Sequence, residues 1–163
     1  MESRPDNARL RAWIPGCATG EEVYTAAILL QEVADAVKKQ FEFQIFGTDL
    51  DNKAIETARA GLYPEGIAVD VTPDRLQRHF VHEEAGFRVC KAIREMAVFA
   101  QQNVIKDPPF TKLDLIYCRN LLIYLKPELQ KKILSMFHYA LNPNGYLFLG
   151  PSETIGECAD YFS

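Results

Sequence analysis

The sequence lacks any run approaching the ~18 apolar residues that a membrane-spanning helix needs, and no charged-then-apolar leader suggests secretion. It has no CxxC pair. Cys17, Cys90, Cys118 and Cys158 stand far apart, which argues against a zinc site and against a disulfide scaffold and predicts a reducing, cytoplasmic setting. An excess of positive charge is missing too: 18 Lys and Arg face 22 Asp and Glu, a net charge of -4. Nucleic acid is thereby a poor default partner, because affinity for it comes largely from neutralised phosphates. There is no internal repeat, no low-complexity tract and no linker rich in Gly, Pro and Ser. What is present, 163 residues that are 48% hydrophobic and 25% charged, has the make-up of a folded domain with its own core.

Residues 1–9 read as a polar, frayed tail, and the domain proper as 10–163. Leu10 to Ile14 reads as a strand stopped by Pro15-Gly16. From Glu21 to about Lys39 the apolar positions Val23, Ala26, Ala27, Leu30, Ala34 and Val37 recur in helical steps. Phe41 to Gly47 alternates as a second strand, and Asp51-Asn52 opens a helix that Gly61 ends. Alternating strands and helices at this spacing predict βαβ units around a mostly parallel sheet, with all strand C-termini on one edge, where ligands of open α/β sheets bind.

The rhythm breaks after Tyr63. Residues 64–95 read as an inserted subdomain: a short helix from Thr72-Pro73-Asp74 to Phe80, then a small antiparallel ribbon. Phe87 to Ile93 and Glu95 to Gln101 read as strands, the latter rejoining the main sheet. Leu113 to Tyr117 follows as a buried strand, Pro127 to Leu141 as a helix with Pro in its first turn, Asn142 to Gly145 as a turn and Tyr146 to Gly150 as a fifth strand.

The turn Pro15-Gly-Cys-Ala-Thr-Gly-Glu-Glu22 joins the first strand to the first helix. Gly16 and Gly20 let the backbone turn tightly and approach a ligand. It is neither a GxGxxG fingerprint nor a P-loop with its Lys-Ser/Thr, and its two carboxylates would repel a pyrophosphate. They suit a ligand with positive charge or hydroxyl donors, or they serve the helix dipole, worth ~0.3–1 kcal/mol each. Asp49 at the second strand's tip is placed to hold ribose hydroxyls, and Asp51 or Asn52 is the better cap. Asn103 past a third strand offers a donor and an acceptor, to an adenine edge or to its own turn. Arg119-Asn120 follows a fourth strand, where packing does not call for such side chains. Tyr124, alone, reads as a core aromatic. His79, His82 and His138 have no matching nucleophile or metal-ligand spacing.

Taken together, Gly16 to Tyr24, Phe46-Gly-Thr-Asp-Leu-Asp51, Ala58 to Tyr63, Phe99 to Asn103, Cys118-Arg-Asn-Leu-Leu-Ile-Tyr124 and Asn142 to Glu153 resemble the CheR-type chemotaxis-receptor glutamate methyltransferases, in order and across nearly the whole chain. The wording Pro-Gly-Cys-Ala-Thr-Gly is most similar to versions in multidomain fusions with a methylesterase. The resemblance implies a Rossmann-like class I methyltransferase sheet with an inserted antiparallel β-subdomain. It also implies S-adenosylmethionine as cofactor, S-adenosylhomocysteine as product, and chemoreceptor glutamates as substrate. Gly16, Thr19, Gly20 and Glu22 would touch the cofactor, Asp49 the ribose, Asn103-Val104 the adenine and Arg119-Asn120 the methionine part, with Tyr124 near the methyl. In that family the β-subdomain docks a receptor tail in some members. A helical domain precedes the region, and further strands follow the equivalent of Ser163, so the resemblance implies a piece cut at both ends. Two other readings stand beside it: a non-catalytic S-adenosylmethionine or S-adenosylhomocysteine sensor in a signalling fusion, and a small-molecule methyltransferase, for which the β-subdomain would be idle.

Overall fold

The computed structural model describes residues 1 and 3–162. β1 (Ala8–Pro15) sends Ala12 and Ile14 to one face and Trp13 to the other, each buried, as the two-residue period of a strand requires. The polar stretch ahead of it is tied down: Arg4 pairs with Asp114, and the Asn7 N–H bonds to the Gln40 carbonyl at 2.8 Å. α1 (Glu21–Ala36) follows, then β2 (Phe41–Asp49) and α2 (Asn52–Ala60). α2 is bounded by its side-chain cap Asp51, which accepts from the Lys53 N–H, and by Gly61 at φ +60°.

After the insertion come β6 (Ala97–Gln101), β7 (Leu113–Cys118), α5 (Pro127–Ala140) and β8 (Leu141–Leu149). The main sheet has the order β6-β2-β1-β7-β8, with every pairing parallel. The chain moves outward from β1 to β6, returns across β1 and moves outward again to β8. The order therefore reverses between β1 and β7; in open α/β sheets the loops leaving the strands on either side of such a reversal run to opposite faces, and the crevice between them at the strand C-termini is where ligands bind. One buried cluster, with Ile14, Val23, Ala27, Ile45, Ile55 and Phe99, packs the sheet against α1 and α2. A second, with Trp13, Phe46, Ile116, Ile133 and Phe137, packs the other face against α5. No described helix is long and apolar enough to cross a membrane, and all four cysteines are free thiols.

The insertion holds a second sheet. β3 (Leu62–Tyr63), β4 (Phe80–Glu83) and β5 (Gly86–Val89) pair antiparallel in the order β3-β5-β4, with α3 (Pro73–His79) between β3 and β4. The ribbon thus has three strands, and β4 begins at Phe80, where the helix was expected to end. The run Phe87 to Ile93 is a strand only to Val89. Lys91–Arg94 is a turn of helix, α4, anchored by buried Ile93 and by Arg94 donating from Nε to the Val89 carbonyl at 3.0 Å. Val89 and Ile93 are four apart, a spacing that both periods tolerate.

Asn142 to Gly145 differs in the same way. It is a bulge inside β8, because Leu113 pairs with Leu141 while Leu115 already pairs with Tyr146. Asn142 donates from Nδ2 to Asp114 at 3.0 Å, and Asn144 turns at φ +63°.

Candidate functional site

The turn from β1 to α1 is bolted to its neighbours at nearly every residue. The Cys17 N–H bonds to the Thr48 carbonyl at 2.9 Å, the Ala18 N–H to Asp49 Oδ2 at 2.9 Å, and Tyr63 donates its hydroxyl to the Thr19 carbonyl at 2.8 Å. Gly20, at φ +92°, lies so close to α2 that a Cβ there would sit 2.7 Å from that of Ala58. α1 starts without a side-chain cap, so the N–H groups of its first turn have no capping side chain to accept from them.

The two carboxylates of the turn divide. Glu21 accepts from Thr19 Oγ1 at 2.7 Å and is exposed. Glu22 is half-buried and faces Arg119, Oε1 to Nη1 at 3.3 Å. Burial raises the Glu22 carboxyl above its ordinary value; Arg119 works against that shift, and Glu153 and Glu21 add to it. Arg119 is held protonated even more firmly than usual by its hydrogen bond to the Tyr117 hydroxyl and by Glu22. Tyr117 is in turn stacked on Phe148, with ring centroids 4.9 Å apart.

Asp49 and Asp51 take separate tasks. Asp51 caps α2, as read from the sequence. Asp49 accepts from Ala18 with one oxygen and from the Asp51 N–H with the other, at 2.9 Å each, and so links the tips of β1 and β2. Past β6, Asn103 accepts with Oδ1 from the Ile105 and Lys106 N–H groups at 3.0 and 3.2 Å. That oxygen serves its own turn, and Val104 packs against the cluster under α5. Asn120 is exposed and left-handed at φ +54°. Tyr124 is not a core aromatic: it stands on the 3-10 turn Leu122–Tyr124, 79% exposed.

Glu153 is the residue the sequence did not single out. It accepts from the Leu121 and Leu122 N–H groups with Oε1 and from the Gly150 N–H with Oε2. Its only signal was its place in the Asn142 to Glu153 stretch.

Cys17 lies within the turn, but burial, aided by Asp49, pushes its thiol up to about 12; burial likewise raises Cys118. Both stay protonated at neutral pH, and a thiol is a poor nucleophile. His79, His82 and His138 lie on α3, β4 and α5, away from the sheet's C-terminal edge. The crevice therefore offers carboxylates, one guanidinium and free backbone N–H groups. Chemically, that set is suited to a ligand with hydroxyls, a positive charge and a carboxylate.

A family model described as "CheR methyltransferase, SAM binding domain" matches residues 1–163. The chain is 35% identical over 159 residues to chemotaxis protein methyltransferase 1 of Pseudomonas aeruginosa, covering 94% of this chain and 58% of that protein. It is 31% identical over 170 residues to the chemotaxis protein methyltransferase of Escherichia coli, covering 99% and 58%. An uncharacterized 104.1 kDa protein of Rhodobacter capsulatus is 44% identical over 154 residues, 94% of this chain and 16% of that protein. The chain thus spans less than two thirds of each of these relatives. Among solved structures, the glycopeptide N-methyltransferase MtfA complexed with sinefungin superposes with a TM-score of 0.55 at 10% identity, covering 86% of this chain and 42% of that one. The DhpI-SAH complex gives 0.53 at 12%, covering 88% and 49%. At such identities the likeness is one of fold.

Proposed function

Because the chain belongs to the CheR family of S-adenosylmethionine-binding methyltransferases, we propose that it carries out methyl transfer from S-adenosylmethionine to glutamate side chains on the cytoplasmic helices of a chemoreceptor. The observation that carries this reading is the set of carboxylates, Glu22 and Asp49, placed with Arg119 around the crevice where the strand order reverses.

The residues present fit the cofactor. Asp49 has both oxygens oriented by backbone N–H groups and keeps lone pairs for the ribose hydroxyls. The positive φ of Gly16 and Gly20 shapes the turn that, with Thr19, would bring backbone near a ligand at the start of α1. Glu22 suits the cationic end of the ligand, and Arg119-Asn120 its carboxylate. Asn103 has Oδ1 engaged, so its Nδ2 is the group left to meet an adenine acceptor beside Val104. Tyr124, solvent-facing in this chain, would border the methyl once a receptor segment covers it.

When bound, S-adenosylmethionine supplies an electrophilic methyl on a sulfonium. The receptor glutamate is already ionised at pH 7, so the chain needs no base to activate it. Transfer of that methyl to a carboxylate oxygen, with the electron pair of the S–CH3 bond going to sulfur, would leave S-adenosylhomocysteine as product. What these residues contribute is alignment, worth up to ~7–11 kcal/mol in favourable intramolecular cases.

For the receptor, the insertion offers β4, the longer of the two edge strands of its sheet, with Val81 exposed. An extended receptor segment could add to that edge by strand augmentation. Such a substrate places the protein in the cytoplasm.

The test is transfer of labelled methyl from S-adenosylmethionine by the full-length protein to receptor cytoplasmic fragments. Base-labile label on glutamate is expected. Tight S-adenosylhomocysteine binding with no transfer would instead make the domain a sensor of the cofactor.

A further inference from the structure

We propose that Glu153 is a positioning residue of the cofactor site, acting as a carboxylate clamp that holds the Arg119–Leu122 loop in its ligand-binding shape. The proposal rests on the cofactor reading above. β7 and β8 are neighbours whose last paired residues are Cys118 and Leu149. Beyond those residues the ladder stops, and the backbone N–H groups that follow need other acceptors. Glu153 supplies them. One oxygen accepts from Leu121 at 3.0 Å and Leu122 at 2.8 Å; the other accepts from Gly150 at 2.9 Å. The clamp is set by a tight turn in which the Glu153 N–H bonds back to the Gly150 carbonyl at 3.0 Å.

The consequence falls on Arg119 and Asn120. Asn120 sits in the left-handed region, at φ +54°, a conformation that costs a non-glycine residue free energy unless its surroundings impose it. The two N–H groups held by Glu153 are those immediately after it. With the loop held this way, Arg119 reaches Glu22 across the crevice. The carboxylate also places a negative charge beside this pair, and Glu22, Arg119 and Cys118 all feel it. Hydrogen bonds to a charged acceptor are the stronger kind, and a clamp with three of them joins two strand ends that the sheet no longer holds.

The test compares Glu153→Ala, Glu153→Gln and, as a control of equal charge change, Glu157→Ala, in the full-length protein. Glu157 is exposed and pairs only loosely with Lys131, at 3.7 Å. Two readouts are taken well below each variant's melting temperature: amide hydrogen exchange at Leu121 and Leu122, and the calorimetric Kd for S-adenosylhomocysteine. Glu153→Ala is expected to accelerate exchange at both amides at least tenfold and to raise Kd at least tenfold. Glu153→Gln keeps one acceptor oxygen and should raise Kd about two- to fivefold. It should also shift the acid limb of the binding profile to lower pH, because a negative neighbour of Glu22 has gone while Glu21 and Arg119 remain. Glu157→Ala should match the wild type. The clamp is overturned if Glu153→Ala leaves both amides protected, or if the folded variant binds within twofold of wild type. It is also overturned if the two alanine variants weaken binding alike. A wild type that binds no S-adenosylhomocysteine would sink the cofactor reading, and the positioning role with it, whereas the exchange data would still show whether the loop is clamped.

Discussion

Asp49 accepts backbone N–H groups at both oxygens, so its geometry is preset and a ribose would meet an oriented carboxylate. Hydrogen bonds to charged groups contribute roughly 1.5–3 kcal/mol. Asp49→Ala should therefore raise the Kd for S-adenosylhomocysteine at least tenfold by calorimetry. Asp49→Asn, which keeps one oxygen, should do less. That Asp51 caps α2 was legible in the sequence, because capping is a local matter: an Asx side chain reaches the N–H two residues on. The division between Glu21 and Glu22 was not. It depends on Thr19 on one side and Arg119 on the other, and only the second of these comes from a distant strand. Tyr124 was misjudged as core for the same reason, since aromatic character does not say which way a 3-10 turn faces.

At the scale of elements, two contacts hold α1 and the turn before it against their neighbours. The first is the approach of the β1–α1 turn to α2. Gly20→Ala would force a side chain into φ +92° and a Cβ to 2.7 Å from that of Ala58. Left-handed strain of this kind costs about 1–3 kcal/mol. A lower urea midpoint and weakened cofactor binding are expected together.

The second contact joins α1 to α3. Arg75 donates from Nε and Nη2 to the two oxygens of Glu32 at 2.8 Å each, and His79 is buried beside them. Arg75 holds the Glu32 carboxyl below its ordinary value, so stability from this contact is present above the ordinary carboxylate range and lost as pH falls through the lowered value. Burial lowers His79 as well, so its share is present above about pH 6.5 and falls away between there and its lowered value. Both slopes run the same way. Urea unfolding from pH 7 to pH 3 should show a falling midpoint, and Glu32→Gln should flatten the part of that fall below pH 5. An unchanged profile in the variant would place the acid sensitivity elsewhere.

For the whole molecule, the insertion and the crevice are separate surfaces of one chain, linked by the Tyr63 hydroxyl on the Thr19 carbonyl. If β4 receives the receptor while the crevice holds the cofactor, the two affinities can be altered independently. Val81→Asp puts a charge on the exposed outer strand, opposite Arg88. It should weaken binding to a receptor cytoplasmic fragment at least fivefold by surface plasmon resonance, while leaving the Kd for S-adenosylhomocysteine within twofold.

The sequence by itself determined the elements whose signals are local. The period of the apolar residues marked α1, β2 and α5, Asp51 and Gly61 bounded α2, and ordered motifs named the family. Where two periods fit the same residues, as at Val89 and Ile93, or where a turn signal sat inside a strand, as at Asn142 to Gly145, pattern alone pointed the wrong way. There β5 pairing, and β7 holding both sides of the bulge, decided the outcome. Only the tertiary structure put β1 beside β7, Arg119 across from Glu22, and the Glu153 carboxylate under the amides of Leu121 and Leu122. The physical reason is that a carboxylate's acceptors face whichever donors the sheet order brings near, and sheet order is settled by packing between residues far apart in the chain.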